Sequence, residues 1–411
     1  MMKSWKFLTI GLIFVMLFGL FAYAEDAVTI TFWHAMSSRH QPNLQKLADD
    51  FMAENPNVTV NLVYQGHYGD LQQKINAAVA AGNPPTMAQV YENWTTPLVD
   101  VLYPIGPAMT DAEKADIIDG LVPSNTYNGV LVTVPFNKSI MVLYYRKDLV
   151  PNPPTTWDEY LQMARDLTVD KDGDGVVDQF GTAFRPSANP EQFLNFLEEA
   201  GGSILNDDWT EVTINNEQGL AAMDFAASLA PYSLITSGYL SDPFGAGQIC
   251  MFIDTSAGYY YNNKAAETGG FEMGVARVPM GPVNQKSMIQ GTNIAVFDMN
   301  QTQAQKDAAV KFARFLLRPE NTVYWAEKGG YQPVTKSAYE TEEWESFVAS
   351  HSYQQAMSAQ MLDGFSQILH PNYGDMRQVI GTAFEEVMTG EATPEDALND
   401  AAVQITDLLN E

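Results

Sequence analysis

The chain is poor in the residues that most often mark metal or redox chemistry. It has a single cysteine, Cys250, so no disulfide can form within it and its core must be stable through packing alone. No histidine stands at metal-ligand spacing from another histidine or from the cysteine; the histidines are His34, His40, His67, His351 and His370. The sequence therefore indicates neither a disulfide-stapled scaffold nor a zinc site of the His/Cys type.

Basic residues are also scarce. The chain has 22 Lys and Arg against 50 Asp and Glu, a formal charge of −28 at pH 7. A field of that sign repels nucleic acid and anionic lipid, so neither is expected as a partner. It also opposes long-range capture of an anionic ligand and so favours a neutral one. The aromatic content of 11% indicates a packed globule rather than a disordered acidic chain.

Motifs of common catalytic sites are missing as well. The sequence contains no His-Glu-x-x-His, no Walker loop, no Gly-x-Ser-x-Gly and no Gly-x-Gly-x-x-Gly. A pair of carboxylates for glycoside hydrolysis could be drawn from any of the 50 acidic residues, so composition does not exclude a glycosidase. An extracellular carbohydrate-active enzyme therefore stays as a third alternative, behind two binding functions.

The first 24 residues have the pattern of an export signal. Lys3 and Lys6 precede an apolar run over residues 7–21, and Ala22-Tyr23-Ala24 gives the small-x-small pattern of a cleavage site. The alternative is a membrane anchor, but the run is shorter than the roughly 20 residues that span a bilayer. We expect cleavage after Ala24 and a periplasmic location. With no cysteine near that site, a lipid anchor is disfavoured.

Hydrophobic periodicity predicts two α/β lobes. Residues 28–34, 58–63 and 87–91 read as strands with helices between them, which implies a parallel sheet covered by helices. Residues 130–145 form a long β-rich stretch, interrupted at 135–137, that would cross from one lobe to the other. Further helices are predicted at 190–200, 217–230, 303–317 and 379–388, with Thr393-Pro394 starting the last. Two such lobes would enclose a ligand cleft at the carboxyl ends of their strands.

An acidic, glycine-rich segment matches the first nine positions of a calcium-binding loop. Asp170, Asp172, Asp174 and Asp178 stand at positions 1, 3, 5 and 9, with Gly175 at the turn position 6. Position 12, where such a loop needs a bidentate Glu, falls on Gly181. The segment is therefore either a structural calcium site or an acidic surface loop, and no other cofactor is expected.

Several segments occur in the same order as in one family of transport proteins. They are Thr31-Phe32-Trp33-His34, Tyr144-Tyr145-Arg146-Lys147-Asp148, Phe244-x-x-Gly247-x-x-Cys250-Met251, Lys311-Phe312, Pro319-Glu320-Asn321 and Gly330-Tyr331-Gln332-Pro333. Together they resemble the extracellular solute-binding proteins of ABC importers, in the maltose-binding-like family 1. The resemblance runs from about residue 28 to the C-terminus. It implies a periplasmic-binding-protein-like fold, an ABC permease as partner and no catalytic residues.

Within that family the chain is most similar to the sn-glycerol-3-phosphate-binding proteins. The segments that carry this similarity are Phe32-Trp33-His34-Ala35-Met36, Gln89-Val90-Tyr91-Glu92 and Pro135-Phe136-Asn137-Lys138-Ser139. The resemblance implies that Tyr68 and Glu92 bind the glycerol end. It further implies that the phosphate and the rest of the ligand shell are held by Ser139, Ser256, the amide of Gly291, Tyr331 and Arg377.

The chemistry of these residues suits a phosphate ester, although each also has an ordinary structural role open to it. Arg377 offers a planar, charge-assisted fork for phosphate, and Ser256 precedes a predicted helix start, where free N–H groups favour an anion. Glu92 can accept hydrogen bonds from two glycerol hydroxyls. Equally, the tyrosines could be core aromatics, the serines turn residues, and Arg377 the partner of a carboxylate such as Asp375.

The sequence departs from its relatives after the acidic loop. The relatives carry a Trp there that packs on the carbon skeleton of the ligand, whereas this chain has Thr182-Ala183-Phe184-Arg185-Pro186. Phe184 would take over the packing, or Arg185 would enlarge the cationic site. Either change leaves sn-glycerol 3-phosphate and a diester such as glycerophosphocholine both open.

These observations predict a monomeric receptor that closes over its ligand by hinge bending. The N-terminal lobe would comprise residues 25–137 and 294–333, and the C-terminal lobe residues 138–293 and 334–411. The lobes would cross near 136–139, 291–295 and 331–336. A receptor for a neutral mono- or oligosaccharide is the main alternative, supported by the acidic charge and by aromatic residues that could stack on sugar rings.

Overall fold

The computed structural model describes residues 26–410. The predicted signal peptide and its cleavage after Ala24 lie outside these residues. None of the helices within residues 26–410 is both long and apolar enough to cross a membrane.

Strands and helices alternate along much of the described chain. The strands are β1 Val28–His34, β2 Val58–Tyr64, β3 Met87–Val90, β4 Thr126–Tyr127, β5 Val130–Leu131, β6 Val134–Arg146, β7 Thr182–Phe184, β8 Ser233–Ile235, β9 Met251–Thr255, β10 Met273–Ala276, β11 Ser287–Val296 and β12 Gly364–Phe365. The helices are α1 Gln41–Glu54, α2 Tyr68–Ala80, α3 Glu92–Leu98, α4 Asp111–Asp116, α5 Trp157–Asp166, α6 Glu191–Glu199, α7 Glu217–Leu229, α8 Ser241–Gly245, α9 Tyr259–Gly269, α10 Gln303–Leu316, α11 Pro319–Gly329, α12 Glu342–Ser350, α13 Ser352–Leu362, α14 Tyr373–Thr389 and α15 Pro394–Leu409.

Local signals account for the helix ends. Thr302 caps α10 through a reciprocal capping box with Gln305, and Thr393 caps α15 immediately before Pro394. Asn55 and Pro56 follow the end of α1, because proline restricts the residue before it. The predicted start of the last helix at Thr393-Pro394 is confirmed.

The first lobe is built on a parallel core. β1 lies between β2 and β3 and pairs in parallel with both, as the alternating pattern predicts. Beyond β3 the sheet becomes mixed, because β11 and then β6 add to it antiparallel. Residues such as Ile30, Phe32 and Phe51 are fully buried between the sheet and helices α1 and α10.

Strand β6 is continuous where the sequence predicted a break. The interruption lies at Val132 and Thr133, and residues 135–137 belong to the strand, so the predicted break there is wrong. Pro135 pairs with Asn293 of β11, and over residues 134–140 β6 has a full strand partner on one side alone. Over this stretch β6 is paired as an edge strand is, and edge strands are where a sheet tolerates proline.

The same strand continues into a second sheet region. From Met141 onward β6 leaves β11 and pairs antiparallel with β9 and β10. A second apolar cluster packs there, with Trp157, Phe193, Phe196 and Phe384 among its buried residues. The fold is thus a periplasmic-binding-protein-like α/β architecture with interleaved crossovers, while the exact lobe bounds stay a prediction.

The three predicted crossing segments meet at one residue. The carbonyl of Lys138 on β6 accepts a hydrogen bond of 2.8 Å from the amide of Gln332, and Lys138 lies opposite Gly291 on β11. The register of β11 shifts between Gly291 and Asn293, as in a β-bulge. Residues 136–139, 291–295 and 331–336 are therefore in direct contact.

Cys250 lies immediately before β9 and is fully buried. Burial raises the pKa of its thiol to about 11. Because the thiolate is the reactive form, this cysteine is a packing residue rather than a nucleophile.

Candidate functional site

Two of the predicted ligand residues begin helices that follow parallel strands. Tyr68 starts α2 after β2, and Glu92 starts α3 after β3, so both lie at the carboxyl edge of the first sheet. The Tyr68 hydroxyl accepts a hydrogen bond of 3.0 Å from Asn137 Nδ2, and its ring packs edge-on against Tyr91 at 4.9 Å. Burial raises the pKa of Tyr68 well above its ordinary value, so it is a neutral hydroxyl at any physiological pH.

Tyr331 joins the same group from the turn after α11. Its ring stacks on Trp325 at 5.8 Å between centroids and lies 5.5 Å from His40. Burial raises the pKa of its hydroxyl, while Asn137 and Tyr68 lie near enough to lower it. The structure thus brings Tyr68 and Tyr331 together around Asn137.

Glu92 forms a buried ion pair that sequence reasoning missed. Its side chain is 1% exposed, and it accepts a hydrogen bond through Oε1 from Nζ of Lys138, which is 0% exposed. Nζ of Lys138 also donates to the carbonyl of Gly291 at 3.3 Å. Oε2 of Glu92 has no hydrogen-bond partner among the described residues. A lysine inside an otherwise buried strand was the available signal, since lysine is almost never fully buried without a partner.

Three predicted phosphate residues meet at one stretch of β6. Ser139 lies in that stretch, and Ser256 and Gly291 lie beside it. Ser139 Oγ accepts from Thr255 Oγ1 at 2.8 Å and donates to the carbonyl of Gln290 at 3.4 Å. Ser256 Oγ accepts from the amide of Ile140 at 3.1 Å and begins a 3-10 turn that leads into α9. Both hydroxyls are buried, Ser139 within β6 and Ser256 directly after the neighbouring strand β9, close to the start of α9.

Arg377 on α14 is held by a carboxylate from another helix. Its Nε and Nη2 donate to the two oxygens of Glu191 on α6, at 2.5 and 2.8 Å, and Nη2 also contacts the carbonyl of Ala188. The partner is Glu191 rather than the neighbouring Asp375. Although burial opposes it, the bonds to Glu191 and its charge raise the pKa of Arg377. Within residues 26–410, Nη1 of Arg377 has no protein hydrogen-bond partner.

A cavity of about 350 Å³ lies beside Arg377 and reaches the first turn of α3, where Asn93 lines it. Tyr91, next to Glu92 in the chain, lines it together with Gln290, Glu191 and Tyr373. The hydroxyl of Tyr373 is buried and, among the described residues, has no hydrogen-bond partner. The cavity therefore holds unused donors beside a guanidinium, as a polar or anionic group would require.

Phe184 and Arg185 occupy quite different surroundings. Phe184 is 0% exposed and packs in the second core against Phe196 and Phe384, so the predicted packing of Phe184 on a ligand is wrong for this conformation. Its place on β7 turns the ring toward the core. Arg185 instead lies with its guanidinium 4.8 Å from the ring centre of Tyr239.

Arg185 lines a second cavity of about 510 Å³, together with Asp254, Thr255 and Gly258. Burial raises the pKa of Asp254, and the Thr255 amide and the charge of Arg185 oppose that rise. This cavity adjoins the turn that begins at Ser256, so Arg185 is near the predicted phosphate residues.

The acidic loop gathers three of its four predicted carboxylates. Ligand atoms of Asp170, Asp172 and Asp174 lie within 4.8 Å of one another and are exposed. The carboxylate of Asp170 accepts from the amides of Gly173 and Gly175, while that of Asp178 accepts from the amide of Lys171. The loop is thus ordered by its own backbone amides, and calcium binding stays a prediction from the sequence.

The fold and the cleft define a class: a non-enzymatic solute-binding receptor of an ABC importer. Residues 46–350 match the bacterial extracellular solute-binding protein family, and the chain belongs to that family. The chain is 28% identical to the sn-glycerol-3-phosphate-binding periplasmic protein UgpB of Escherichia coli strain K12, with 95% of this chain and 94% of that protein aligned. Membership places the receptor outside the cytoplasmic membrane, with a membrane permease as its partner.

Solved structures share the fold. The cyclic α-maltosyl-1,6-maltose binding protein of Arthrobacter globiformis has a TM-score of 0.81 at 23% identity, covering 93% of this chain and 98% of that one. UgpB of Mycobacterium tuberculosis in complex with glycerophosphocholine has a TM-score of 0.77 at 20% identity, covering 93% and 98%. At these identities the likeness establishes the architecture, which receptors of different ligands share.

Proposed function

We propose that this receptor binds a glycerol phosphate, either sn-glycerol 3-phosphate or a glycerophosphodiester, between its lobes. The observation that carries the proposal is the combination of two chemistries in one interior. Glu92 offers a carboxylate oxygen without a partner among the described residues. Arg377 offers unused guanidinium donors in a cavity that Tyr91 and Asn93, the chain neighbours of Glu92, also line. A polyol needs acceptors, and a phosphate needs donors and a cation.

The remaining residues fit the two ends of such a ligand. Tyr68, Tyr331 and Glu92 would contact the glycerol hydroxyls from the first lobe. Ser139, Ser256 and the amide of Gly291 would donate to the phosphate, near the start of α9, where an anion is favoured. The similarity to the Escherichia coli glycerol-3-phosphate-binding protein over nearly the whole chain supports this assignment.

Glu191 sets a condition on this proposal. Because Glu191 already binds Nε and Nη2 along one edge of the Arg377 guanidinium, an anionic ligand has to use Nη1 or displace the carboxylate. The first route keeps the ion pair and adds a charge-assisted hydrogen bond on the open side. Arg377 would then bridge Glu191 and the phosphate.

A neutral sugar is the second candidate, and a specific observation favours it. The charge of Arg377 is balanced by Glu191, and Tyr68, Tyr91, Trp94 and Tyr331 bring aromatic surface to the same interior. Sugar rings pack on such surface, and their hydroxyls pair with carboxylates. The acidic charge of the chain suits a neutral ligand as well.

Ligand-induced thermal stabilisation separates these candidates. A ligand present at 100 times its dissociation constant stabilises the native state by about 2.7 kcal/mol. We expect sn-glycerol 3-phosphate or glycerophosphocholine to raise the melting temperature and maltose to leave it unchanged. Arg377→Ala should abolish the response, whereas Arg314→Ala, which removes an arginine paired with Glu113 on the surface, should keep it.

The opposite results are equally informative. Stabilisation by maltose without any response to phosphate esters would establish the sugar receptor. A full phosphate-ester response in Arg377→Ala would show that Arg377 does not bind the phosphate. Turnover of a glycoside would contradict a pure receptor function.

A further inference from the structure

Lys138 is not among the predicted ligand residues, and a gain in stability does not explain why its ammonium is buried. Lys138 lies in β6 with no exposed surface, and its charge is paired with Glu92. Desolvating two charges is so costly that a buried ion pair is often no more stabilising than apolar residues of similar volume. A function of the pair therefore has to be sought in the cleft.

The electrostatics of the cleft indicate what the ammonium does. Two carboxylates there besides Glu92 have a cationic neighbour: Arg377 binds Glu191, and the charge of Arg185 acts on Asp254. Lys138 plays this part for Glu92. Without it, an uncompensated carboxylate would face the ligand inside a protein whose formal charge is already −28. Such a charge would repel a phosphate, whereas a neutral sugar has no net charge for it to act on.

The geometry of the pair also orients Glu92. Lys138 Nζ binds Oε1 and is tied in turn to the carbonyl of Gly291, so one carboxylate oxygen is fixed against β11. The other oxygen, Oε2, is buried without a partner among the described residues. A buried acceptor left open in this way calls for a donor, and a ligand hydroxyl supplies one.

We infer that Lys138 is a specificity-determining residue of the cleft: its ammonium cancels the charge of Glu92 and orients it, so that an anionic polyol ester binds beside that carboxylate. This inference rests on the proposed function. The ligand class it selects is a phosphate ester that carries free hydroxyls.

A double-mutant comparison tests the inference. Affinity for sn-glycerol 3-phosphate would be measured by calorimetry in wild type, Lys138→Met, Glu92→Gln and the double variant. We expect Lys138→Met to weaken binding by about tenfold or more, since it leaves Glu92 uncompensated. The double variant, which has the net charge of wild type, should bind more tightly than Lys138→Met. Lys306→Met, which removes a partly buried lysine paired with Asp298 away from the cleft, should bind like wild type.

Each result has a definite meaning. A double variant that binds no better than Lys138→Met, or a Lys138→Met protein that binds like wild type, would overturn the inference alone. A wild-type protein that binds no phosphate ester would overturn the proposed function and the inference with it. If Lys138→Met does not fold, Glu92→Gln is compared with the double variant, in which no buried carboxylate is stranded. There, loss of the lysine should again weaken phosphate binding, and unchanged binding would contradict the inference.

Discussion

Gly291 has a backbone conformation that other residues resist. Its φ is +127°, and a Cβ placed on it would lie 1.9 Å from the carbonyl oxygen of Asn137. The close approach of β11 to β6 at this point brings the Gly291 carbonyl within reach of Lys138 Nζ. The glycine is therefore needed to build the cleft, whatever its amide binds.

We expect Gly291→Ala to lower the free energy of unfolding by about 2 kcal/mol or more and to abolish ligand binding. Gly390→Ala is the matched control. Gly390 also has a positive φ, +78°, but a Cβ there meets no atom within 4 Å, so its cost should be about 1 kcal/mol. Denaturant unfolding measures the free energy of unfolding of both variants. An equal loss of stability in Gly291→Ala and Gly390→Ala would show that β6 and β11 can move apart at Gly291.

Glu199 predicts a pH dependence that has nothing to do with the ligand. It is fully buried at the end of α6 and accepts a hydrogen bond of 2.6 Å from Trp157 Nε1. Burial raises its pKa well above the ordinary 4.5. At pH values between 4.5 and the raised pKa, the folded state therefore holds a proton that the unfolded state releases. The free energy of unfolding therefore falls as pH rises through this window, by up to about 1.4 kcal/mol per pH unit.

Glu199→Gln keeps an acceptor for Trp157 and removes the titration. We expect the variant to gain stability relative to wild type as pH is raised from 5 to 8, as measured by urea unfolding at each pH. Glu343→Gln, at an exposed position on α12, should track wild type. Parallel curves for Glu199→Gln and wild type would mean that Glu199 is ionised in the folded protein.

At the scale of whole elements, α6 and α14 are joined through the pair Glu191–Arg377. Glu191 is 3% exposed and competes with any anion for the guanidinium. We expect Glu191→Gln to raise the affinity for sn-glycerol 3-phosphate by about tenfold, equivalent to about 1.4 kcal/mol, while leaving that for an uncharged sugar unchanged. Calorimetric titration of wild type and Glu191→Gln with each ligand measures these affinities. Weaker phosphate binding would instead show that Glu191 positions Arg377 for the ligand.

Helices and parallel strands could be predicted because their signals are local. The capping pattern at Thr302 and the proline after Thr393 mark helix starts without reference to the rest of the chain. Pro135 misled the prediction, since its place in β6 depends on which side of the strand is paired. The pairs Lys138–Glu92 and Arg377–Glu191 join distant residues, so no spacing in the sequence reveals them.

The burial of Phe184 in the core also could not be predicted from the sequence. The family resemblance made this aromatic residue a candidate for packing on the ligand, yet its ring belongs to the core beside Phe384, 200 residues away. Residue type alone does not distinguish the two faces of a short strand such as β7. Tyr68 and Glu92 could be placed at the cleft more directly, because each follows a parallel strand and its position at the strand end is set by the topology.

At the scale of the whole molecule, the formal charge of −28 affects how fast a charged ligand arrives. An anion approaching this protein is repelled over about one Debye length, roughly 30 Å at 0.01 M and 8 Å at 0.15 M salt. We therefore expect the association rate constant of sn-glycerol 3-phosphate to increase with ionic strength. Stopped-flow tryptophan fluorescence across this range measures this rate constant. A falling rate would show that the field at the cleft is opposite in sign to that of the whole chain, and an unchanged rate would show that the net charge does not act on the ligand.

The burial of Cys250 has a practical consequence. Since this sole thiol is sealed in the second core with a pKa near 11, a cysteine introduced on the surface would be the one fast-reacting thiol in the chain. Two exposed positions, Tyr64 at the end of β2 and Tyr239 beside the second cavity, lie on different lobes of the predicted division. A pair of dyes attached there would report, molecule by molecule, the distance between the two halves as ligand enters and leaves.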